Sequence, residues 1–259
     1  MANQFYAPGN QRAARVQDLF ARVAAHYDLL NDLQSFGFHR RWKQLVARMA
    51  QPAPGSRALD LCCGTGDISF AFAQAELQTI GLDFSEAMLA HAALRAQRMR
   101  SSLPGRSVLS GGPPSAAAPA TKLLVPQFIR GDAQRLPFAE NSFEVVSVGY
   151  GLRNLANWEN GLREMQRVAK PGGRLLILEF GKPQNRLWRA IYFAYLKYFV
   201  PVLGRVFCGS GSAYAYIFES LTHYPAQQVI GAKMRELGLR EVRVINLLGG
   251  AMSINYAEK

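Results

Sequence analysis

Two glycines and two acids in this chain have the spacing of a nucleotide-like cofactor site. Gly64 and Gly66 follow an apolar segment that contains Asp60, and Asp83 ends the next apolar segment after a helix-length interval. A glycine turn lets the backbone approach a ligand, and an acid at the end of the second strand can accept the hydroxyl groups of a ribose. The spacing therefore predicts a cofactor site at the carboxyl ends of two neighbouring strands.

The charge beside the glycine turn indicates which cofactor the turn holds. A nicotinamide dinucleotide site needs a small residue where Ser69 stands, and a turn free of negative charge to receive pyrophosphate. Asp67 instead places a carboxylate where the phosphates would lie. A carboxylate repels pyrophosphate and attracts the ammonium and sulfonium of S-adenosylmethionine, so the pattern favours the methyl donor. A tight turn that holds no ligand remains the alternative.

The rest of the chain alternates strand and helix patterns around this turn. Strands are predicted at Arg57–Leu61, Thr79–Leu82, Gln127–Arg130, Phe143–Val148, Arg174–Glu179, Glu241–Leu247 and Met252–Tyr256. Helices are predicted at Ala14–Ala25, Trp42–Met49, Asp67–Ala75, Ser85–Arg100, Trp158–Ala169 and Ala226–Leu237. Such repetition predicts an α/β fold with a mostly parallel, seven-stranded sheet and helices on both faces. We divide it into an N-terminal helical lid segment, 1–52, and a second domain, 53–259.

Two segments depart from this alternation. Residues 101–120 are rich in Ser, Pro, Gly and Ala, lack aromatic residues, and are predicted to form a mobile surface insertion. Residues 185–207 are aromatic and apolar with interspersed basic residues, and are predicted to form a helical cover broken at Pro201. Two interpretations of this cover stay open: a helix pair over the core, or an apolar wall for an isoprenoid substrate at a membrane interface.

Composition limits the class of protein. The chain has 259 residues, 49% of them hydrophobic, and a net charge of +12. It shows neither an apolar run long enough to span a bilayer nor the apolar block of a signal peptide, so we expect a cytoplasmic protein. Of three cysteines, Cys62 and Cys63 are adjacent, which predicts no disulfide framework and no metal site. The positive charge suits an anionic membrane, a nucleic acid, or a solvated surface with no partner.

The motif Asp60-x-x-x-Gly64-x-Gly66 resembles the first motif of Rossmann-like S-adenosylmethionine-dependent methyltransferases, with Cys62 in place of one expected glycine. Six further segments make the chain similar to the quinone-biosynthesis C-methyltransferases, which act on menaquinone and ubiquinone precursors: Tyr27–Asp32, His39–Trp42, Gly131–Phe138, Gly149–Asn154, Arg167–Gly173 and Leu178–Phe180. The similarity covers about Gln17 to Tyr256, apart from the insertion. It implies C-methylation of a prenylated quinol, with demethylmenaquinol preferred over a ubiquinone or phylloquinone precursor.

The resemblance also implies which residues form the site. Contacts to S-adenosylmethionine are carried over to Thr65, Asp83, Asp132 and Ala133, and the turn adds Asp60, Gly64 and Gly66. The catalytic candidates are Arg153, Asn154 and His39. Arg153 would stabilise the developing oxyanion, Asn154 would orient the hydroxyl, and His39 would act as general base or hold a water.

Each of these assignments has a structural alternative. Asp83 could cap the following helix, and Asp132 could cap a turn. Arg153 could form an ion pair with Glu164 or Asp132 and have no part in the chemistry. His39 could be a hydrogen-bonded structural residue.

A nucleic-acid methyltransferase is the competing function. Enzymes of that class place Asn or Asp before Pro-Pro-aromatic, or use a Pro-Cys nucleophile, and neither pattern occurs here. We therefore expect a prenylated quinol as substrate, no nucleic-acid partner, and transient association with the inner face of an anionic membrane. A non-catalytic binding module is the other alternative, but it would leave Asp83, Asp132 and Arg153 without a joint purpose. A homodimer is left open.

Overall fold

The computed structural model describes residues 31–32, 34–51, 53–102, 124–208 and 212–259. The helix predicted at 14–25 and nearly all of the insertion predicted at 101–120 lie outside these ranges. Within the described ranges, no helix combines the length and the apolar character needed to cross a bilayer.

Strands and helices alternate along the described chain. The strands are β1 (Arg57–Leu61), β2 (Gln78–Asp83), β3 (Gln127–Arg130), β4 (Phe143–Gly149), β5 (Ala169–Phe180), β6 (Arg240–Leu247) and β7 (Met252–Glu258). The helices are α1 (Phe38–Ala50), α2 (Asp67–Gln74), α3 (Glu86–Ser101), α4 (Trp158–Val168), α5 (Arg186–Ala194), α6 (Val200–Cys208), α7 (Ser212–His223) and α8 (Gln227–Glu236). Every predicted strand overlaps an observed one, and β1 and β3 have the predicted bounds.

The strands form one sheet in the order β3-β2-β1-β4-β5-β7-β6. All neighbouring pairs are parallel except β5–β7 and β6–β7, so the predicted mostly parallel, seven-stranded sheet is confirmed. β7 lies between β5 and β6, and among the described residues β6 pairs with β7 alone. The strand order reverses between β1 and β4, and such a reversal opens a crevice at the carboxyl ends of the strands.

Helices cover both faces of the sheet, as predicted. On one face, Leu162 of α4 and Ile230 of α8 pack in the main core cluster. On the other face, Trp42 and Val46 of α1 share a cluster with Phe72 of α2. The boundary at 52/53 stays a prediction, but α1 is packed into the core and so is fixed on the sheet.

The predicted end of α4 is one residue too late, and the predicted start of β5 was wrong. The sequence suggested a helix that stops at Lys170–Gly173 before a strand at Arg174, whereas β5 begins at Ala169, directly after Val168. Ala169 pairs with Phe143, and the register between β4 and β5 shifts beyond that pair. Gly172 has a φ of 75°, so the Pro-Gly-Gly segment makes an irregularity inside the strand and does not separate two elements.

The predicted break at Pro201 was also wrong. Helix continues from α5 through a π-helical turn at Tyr195–Phe199 into α6, which contains Pro201. Val200 donates its backbone N–H to the carbonyl of Tyr195, five residues earlier. Proline lacks an N–H and its ring crowds the carbonyl four residues before it, and the wider π turn accommodates both effects.

Candidate functional site

The turn after β1 adopts left-handed backbone conformations. The φ angles are 51° at Cys62, 54° at Gly64 and 90° at Gly66. A Cβ at Gly66 would lie 2.7 Å from the Cζ atom of Phe128, so a larger residue would displace that ring. Cys62 takes a conformation that glycine adopts at lower cost, which explains why a glycine is expected at its position.

A pocket of about 120 Å³, here called the nucleotide pocket, opens over this turn. Its walls are apolar side chains and glycine backbone, edged by two acids, and include Gly64, Asp83, Met88, Asp132, Ala133 and Leu155. An adenosine needs apolar surfaces for its base and acceptors for its hydroxyl and amino groups. The chemistry of this lining therefore fits the nucleoside part of S-adenosylmethionine, and it brings together most of the predicted cofactor residues.

Asp83 is tied to the turn by its own hydrogen bonds. Its Oδ2 accepts the backbone N–H of Gly64 at 2.9 Å, and its Oδ1 accepts that of Ser85 at 2.8 Å. The cap of α3 is Ser85, whose side chain accepts the N–H of Met88. Burial raises the pKa of Asp83 in spite of these bonds. Each carboxylate oxygen keeps acceptor capacity, so Asp83 can still receive two ribose hydroxyls.

Asp132 orders the turn after β3 and also lines the nucleotide pocket. Its Oδ1 accepts the backbone N–H of Gln134 at 2.9 Å. Ala133, which is buried, lines the same pocket. A carboxylate has about four acceptor positions, so the turn contact and a ligand contact are compatible.

A narrow cleft of about 20 Å³, here called the polar cleft, adjoins the nucleotide pocket. It is lined by side chains of the turn and of α1, among them Lys43, Asp60, Thr65 and Asp67. Asp60 is 1% exposed, and its carboxylate accepts the hydroxyls of Ser69 at 2.7 Å and Ser147 at 2.9 Å. Burial raises the pKa of Asp60 to about 6.

Asp67 differs from the free carboxylate that the sequence argument assumed. Its Oδ2 lies 2.7 Å from Lys43 Nζ, and its Oδ1 lies 2.7 Å from Arg95 Nη1. Although burial opposes them, these cations hold the pKa of Asp67 well below its usual range. Because the charge of Asp67 is balanced inside the protein, it gives weaker grounds for excluding pyrophosphate. Among the described residues, Asp60 is the acid of the cleft with no cation at ion-pair distance.

Arg153 is buried in an ion pair. Its Nη1 lies 2.6 Å from Glu179 Oε1 and donates to the carbonyl of Tyr150 at 2.7 Å, and the guanidinium stacks over Phe180 at 4.8 Å. The sequence analysis considered an ion pair of Arg153 with Glu164 or Asp132, whereas the observed partner is Glu179. Glu164 pairs with Arg167 on α4. As formed by the described residues, neither the nucleotide pocket nor the polar cleft is lined by Arg153.

Asn154 lines the nucleotide pocket, and both the oxygen and the nitrogen of its side-chain amide form hydrogen bonds. Its Oδ1 accepts the hydroxyl of Tyr216 at 2.9 Å, and its Nδ2 donates to the carbonyl of Tyr150 at 3.2 Å. Tyr216 of α7 is 1% exposed. The amide of Asn154 therefore lies in the pocket lining with a fixed orientation.

A second cavity, of about 260 Å³ and almost entirely apolar, lies between α1 and the helical cover. We call it the apolar cavity; its walls include Phe38, Trp42, Phe180, Trp188, Tyr192 and Leu196. Tyr192 and Leu196 also belong to a core cluster of the cover. The cover thus packs on the core and also forms a wall of a cavity, whereas a role in binding an isoprenoid substrate at a membrane stays a prediction.

His39 stands in the wall of the apolar cavity and is 2% exposed. Its Nε2 lies 2.8 Å from Asp32 Oδ1, and the pKa of Asp32 is lowered to about 2 by its hydrogen bond to Arg40. Burial and the nearby charge of Lys43 lower the pKa of His39. An ionised Asp32 accepts the Nε2 proton, which leaves the lone pair on Nδ1, and Nδ1 has no partner among the described residues.

Tyr150 was missed from the sequence, and it lines all three spaces. It follows β4 with a φ of 59°, which is strained for an aromatic residue. The signal in the sequence was an aromatic residue between Gly149 and Gly151 at a strand end. A Cβ at Gly149 would lie 2.6 Å from Ile68 Cδ1, so any larger residue there would require Ile68 to move.

Comparison with solved structures supports the fold. A SAM-dependent methyltransferase from Thermotoga maritima matches with a TM-score of 0.61 and 16% sequence identity, over 94% of this chain and 99% of that one.

Two curated relatives cover nearly the whole chain. A demethylmenaquinone methyltransferase of Desulfitobacterium hafniense is 36% identical over 97% of this chain and 92% of its own length. A ubiquinone/menaquinone biosynthesis C-methyltransferase, UbiE, of Ectopseudomonas mendocina is 36% identical over 97% of this chain and 91% of its own length. The model of the ubiE/COQ5 methyltransferase family matches residues 9–104 and 114–259. With its fold, its glycine turn and these matches, the chain belongs to the ubiE/COQ5 methyltransferase family.

Proposed function

We propose that this enzyme transfers a methyl group from S-adenosylmethionine to a ring carbon of a reduced, prenylated quinone precursor, with demethylmenaquinol as the acceptor. A ubiquinone or phylloquinone precursor is the alternative. One observation carries the proposal: Tyr150 borders both the nucleotide pocket and the apolar cavity. A nucleoside and a hydrophobic ring can therefore be held on either side of one aromatic side chain. The names of the two curated relatives support the choice of a quinone precursor.

The acceptor carbon must be made nucleophilic. The cofactor supplies an electrophilic methyl group. Loss of the proton from a ring hydroxyl would move electron density onto the neighbouring ring carbon, which would take the methyl group as the methyl–sulfur bond breaks and S-adenosylhomocysteine is left. The ring would then lose its C–H proton to water and regain aromaticity, and the ring oxygen would take back the proton held by the base. The residue suited to accept the hydroxyl proton is His39, which lines the apolar cavity and whose tautomer is held by Asp32. Its lowered pKa keeps the imidazole neutral, as a base must be, at pH 7.

For Arg153 we propose a different role from the one that the sequence suggested. Because its guanidinium is bonded to Glu179 and to the carbonyl of Tyr150, we propose that it is a positioning residue for the segment after β4. Asn154 accepts from Tyr216 and lines the nucleotide pocket, so it is the better candidate for a direct contact.

Lipid analysis of a strain that lacks the gene tests the proposal. The demethyl form of menaquinone should accumulate, and the wild-type gene should restore menaquinone. Unchanged menaquinone together with loss of ubiquinone would select the alternative acceptor. Unchanged levels of all quinones would refute the proposal.

Asp83→Ala should weaken binding of S-adenosylhomocysteine by about 1–3 kcal/mol, because charge-assisted hydrogen bonds to the ribose are lost. Isothermal titration calorimetry measures this effect. Glu86→Ala serves as the control, since Glu86 begins α3 nearby but its carboxylate is exposed and pairs with Arg130. Equal effects of the two variants would contradict a ribose contact at Asp83.

We also propose that the helical cover docks the enzyme on the inner, anionic face of the cytoplasmic membrane. Exposed apolar residues of α5, the π turn and α6 include Leu187 at 72%, Tyr198 at 64% and Val206 at 69%. Arg186, Lys197 and Arg205 are exposed on the same segment. Each basic side chain near an anionic surface contributes about 1 kcal/mol, and salt screens this attraction.

Co-sedimentation with vesicles of anionic phospholipid measures this association. Binding at low salt should decrease as salt is added, and Val206→Asp should reduce it several-fold at any given salt, because it places a carboxylate on the apolar face. Val229→Asp is the matched control, since Val229 is 50% exposed on α8. If both variants bind as the wild type does, the cover is not the docking surface.

A further inference from the structure

The polar cleft has the charges needed to bind an amino-acid group. It shares Gly64, Gly149 and Tyr150 with the nucleotide pocket, so a ligand in one space can extend into the other. Asp60 supplies a buried carboxylate with no cation at ion-pair distance among the described residues. Lys43 supplies the cation that lines the cleft. An amino-acid group carries one ammonium and one carboxylate, which match these two side chains in sign.

Lys43 is a buried cation whose bonding is incomplete. Its side chain is 10% exposed, and its ammonium has one hydrogen bond within the described chain, to Asp67 at 2.7 Å. The ring of Tyr150 lies 5.8 Å from Nζ. An ammonium has three N–H donors, so two of them have no partner among the described residues. A buried ammonium with unused donors gains more from an anionic ligand than a solvated one does.

Arg95 is the other cation on Asp67, and it has a different environment. Its side chain is 37% exposed, donates to the carbonyl of Thr65 at 2.8 Å, and stacks over Phe70 at 4.7 Å. It does not line the polar cleft as the described residues form it. The two residues therefore share one carboxylate, but only Lys43 is placed to meet a ligand.

We propose that Lys43 binds the carboxylate of the amino-acid end of S-adenosylmethionine, an inference that rests on the proposed cofactor. Lys43 lies on α1 one turn after His39, so both side chains project from the same side of the helix. Binding through Lys43 therefore links the cofactor to the helix that carries the proposed base. The enzyme discriminates the full cofactor from nucleosides that lack the amino-acid group through this contact.

Calorimetric titration with three ligands tests the assignment without measuring turnover. They are S-adenosylhomocysteine, its decarboxylated analogue, and 5′-methylthioadenosine, which lacks the whole amino-acid group. Lys43→Met should lower affinity for S-adenosylhomocysteine by about ten- to a hundredfold, because a charge-assisted bond is lost. It should leave affinity for the other two ligands nearly unchanged. Arg95→Met, which removes the other ion pair of Asp67, should leave the preference for the carboxylate intact.

The outcomes separate this proposal from that of the cofactor. If the wild type binds no S-adenosylhomocysteine, the cofactor assignment fails. If it binds S-adenosylhomocysteine and the decarboxylated analogue equally, Lys43 has no carboxylate to recognise, a result that needs no variant. If Lys43→Met weakens all three ligands alike, Lys43 is structural. Should Lys43→Met fail to fold, as shown by circular dichroism, Lys43→Arg should fold and keep the preference for the carboxylate.

Discussion

Arg153→Ala is expected to lower the free energy of unfolding by about 3–5 kcal/mol, because it leaves a buried carboxylate without its counter-charge. Glu179 is 2% exposed, and the guanidinium of Arg153 lies 2.6 Å from it. Urea denaturation followed by circular dichroism measures the change. Arg153→Lys should recover part of the loss, since an ammonium restores the charge but not the fork of donors that also reaches Tyr150.

The control for this experiment is Arg163→Ala. Arg163 forms an ion pair with Glu159 on the surface of α4, where its side chain is 49% exposed. Exposed pairs contribute about 0–1 kcal/mol, so this variant should unfold nearly as the wild type does. The turnover per folded molecule of Arg153→Ala should be measured as well, because it separates a structural role of Arg153 from a catalytic one. If Arg153→Ala keeps its stability but loses turnover, Arg153 acts directly on the substrate, as the sequence first suggested.

His39→Ala is expected to reduce kcat by about a hundred- to ten-thousandfold, the range that a general base contributes. Affinity for S-adenosylhomocysteine should hardly change, because His39 lines the apolar cavity and not the nucleotide pocket. Methyl transfer from tritiated S-adenosylmethionine to the extracted quinol measures kcat. His91→Ala is the control, since His91 is exposed on α3. Equal losses of cofactor affinity and of kcat in His39→Ala would show a structural role.

The pH dependence of kcat gives an independent test of His39. The carboxylates of Asp32 and Asp67 raise the pKa of His39, whereas burial and the charge of Lys43 lower it. The net result is a pKa below the usual value of 6.5. A base is active when it is deprotonated, so kcat should fall only as the pH drops below 6.5. Lys43→Met removes a positive charge, raises the pKa of His39 and should move this fall to higher pH. An unchanged acid limb in His39→Gln would contradict the assignment.

Much of the fold could be predicted because each element carries its own local signal. β1 and β3 were placed to the residue from the strand patterns at Arg57–Leu61 and Gln127–Arg130. Lys170–Gly173 and Pro201 misled the prediction for one reason. Proline and glycine usually end an element, but here tertiary pairing with Phe143 continues the strand, and a π turn carries the helix past Pro201.

The site was less predictable, because its partners are distant in sequence. Gly64, Asp83 and Asp132 lie at strand ends, and parallel strands bring such ends together, so their grouping followed from the fold. Arg153 follows β4, and its partner Glu179 lies on β5, the strand next to β4. The two residues are too far apart in sequence for a local pattern to predict their contact. The contact of Lys43 with Asp67 depends on how α1 lies against α2, which helix periodicity does not specify.

The placement of β7 between β5 and β6 has a consequence for how the chain folds during synthesis. β6 leaves the ribosome before β7, yet β7 is the one strand that pairs with it in the part of the chain that the structure describes. Until β7 inserts, one edge of β5 and both edges of β6 have unpaired backbone groups, which are sites for association with other chains. The antiparallel strand β7 therefore completes the sheet between β5 and β6. Slow synthesis between β6 and β7 would prolong the aggregation-prone state.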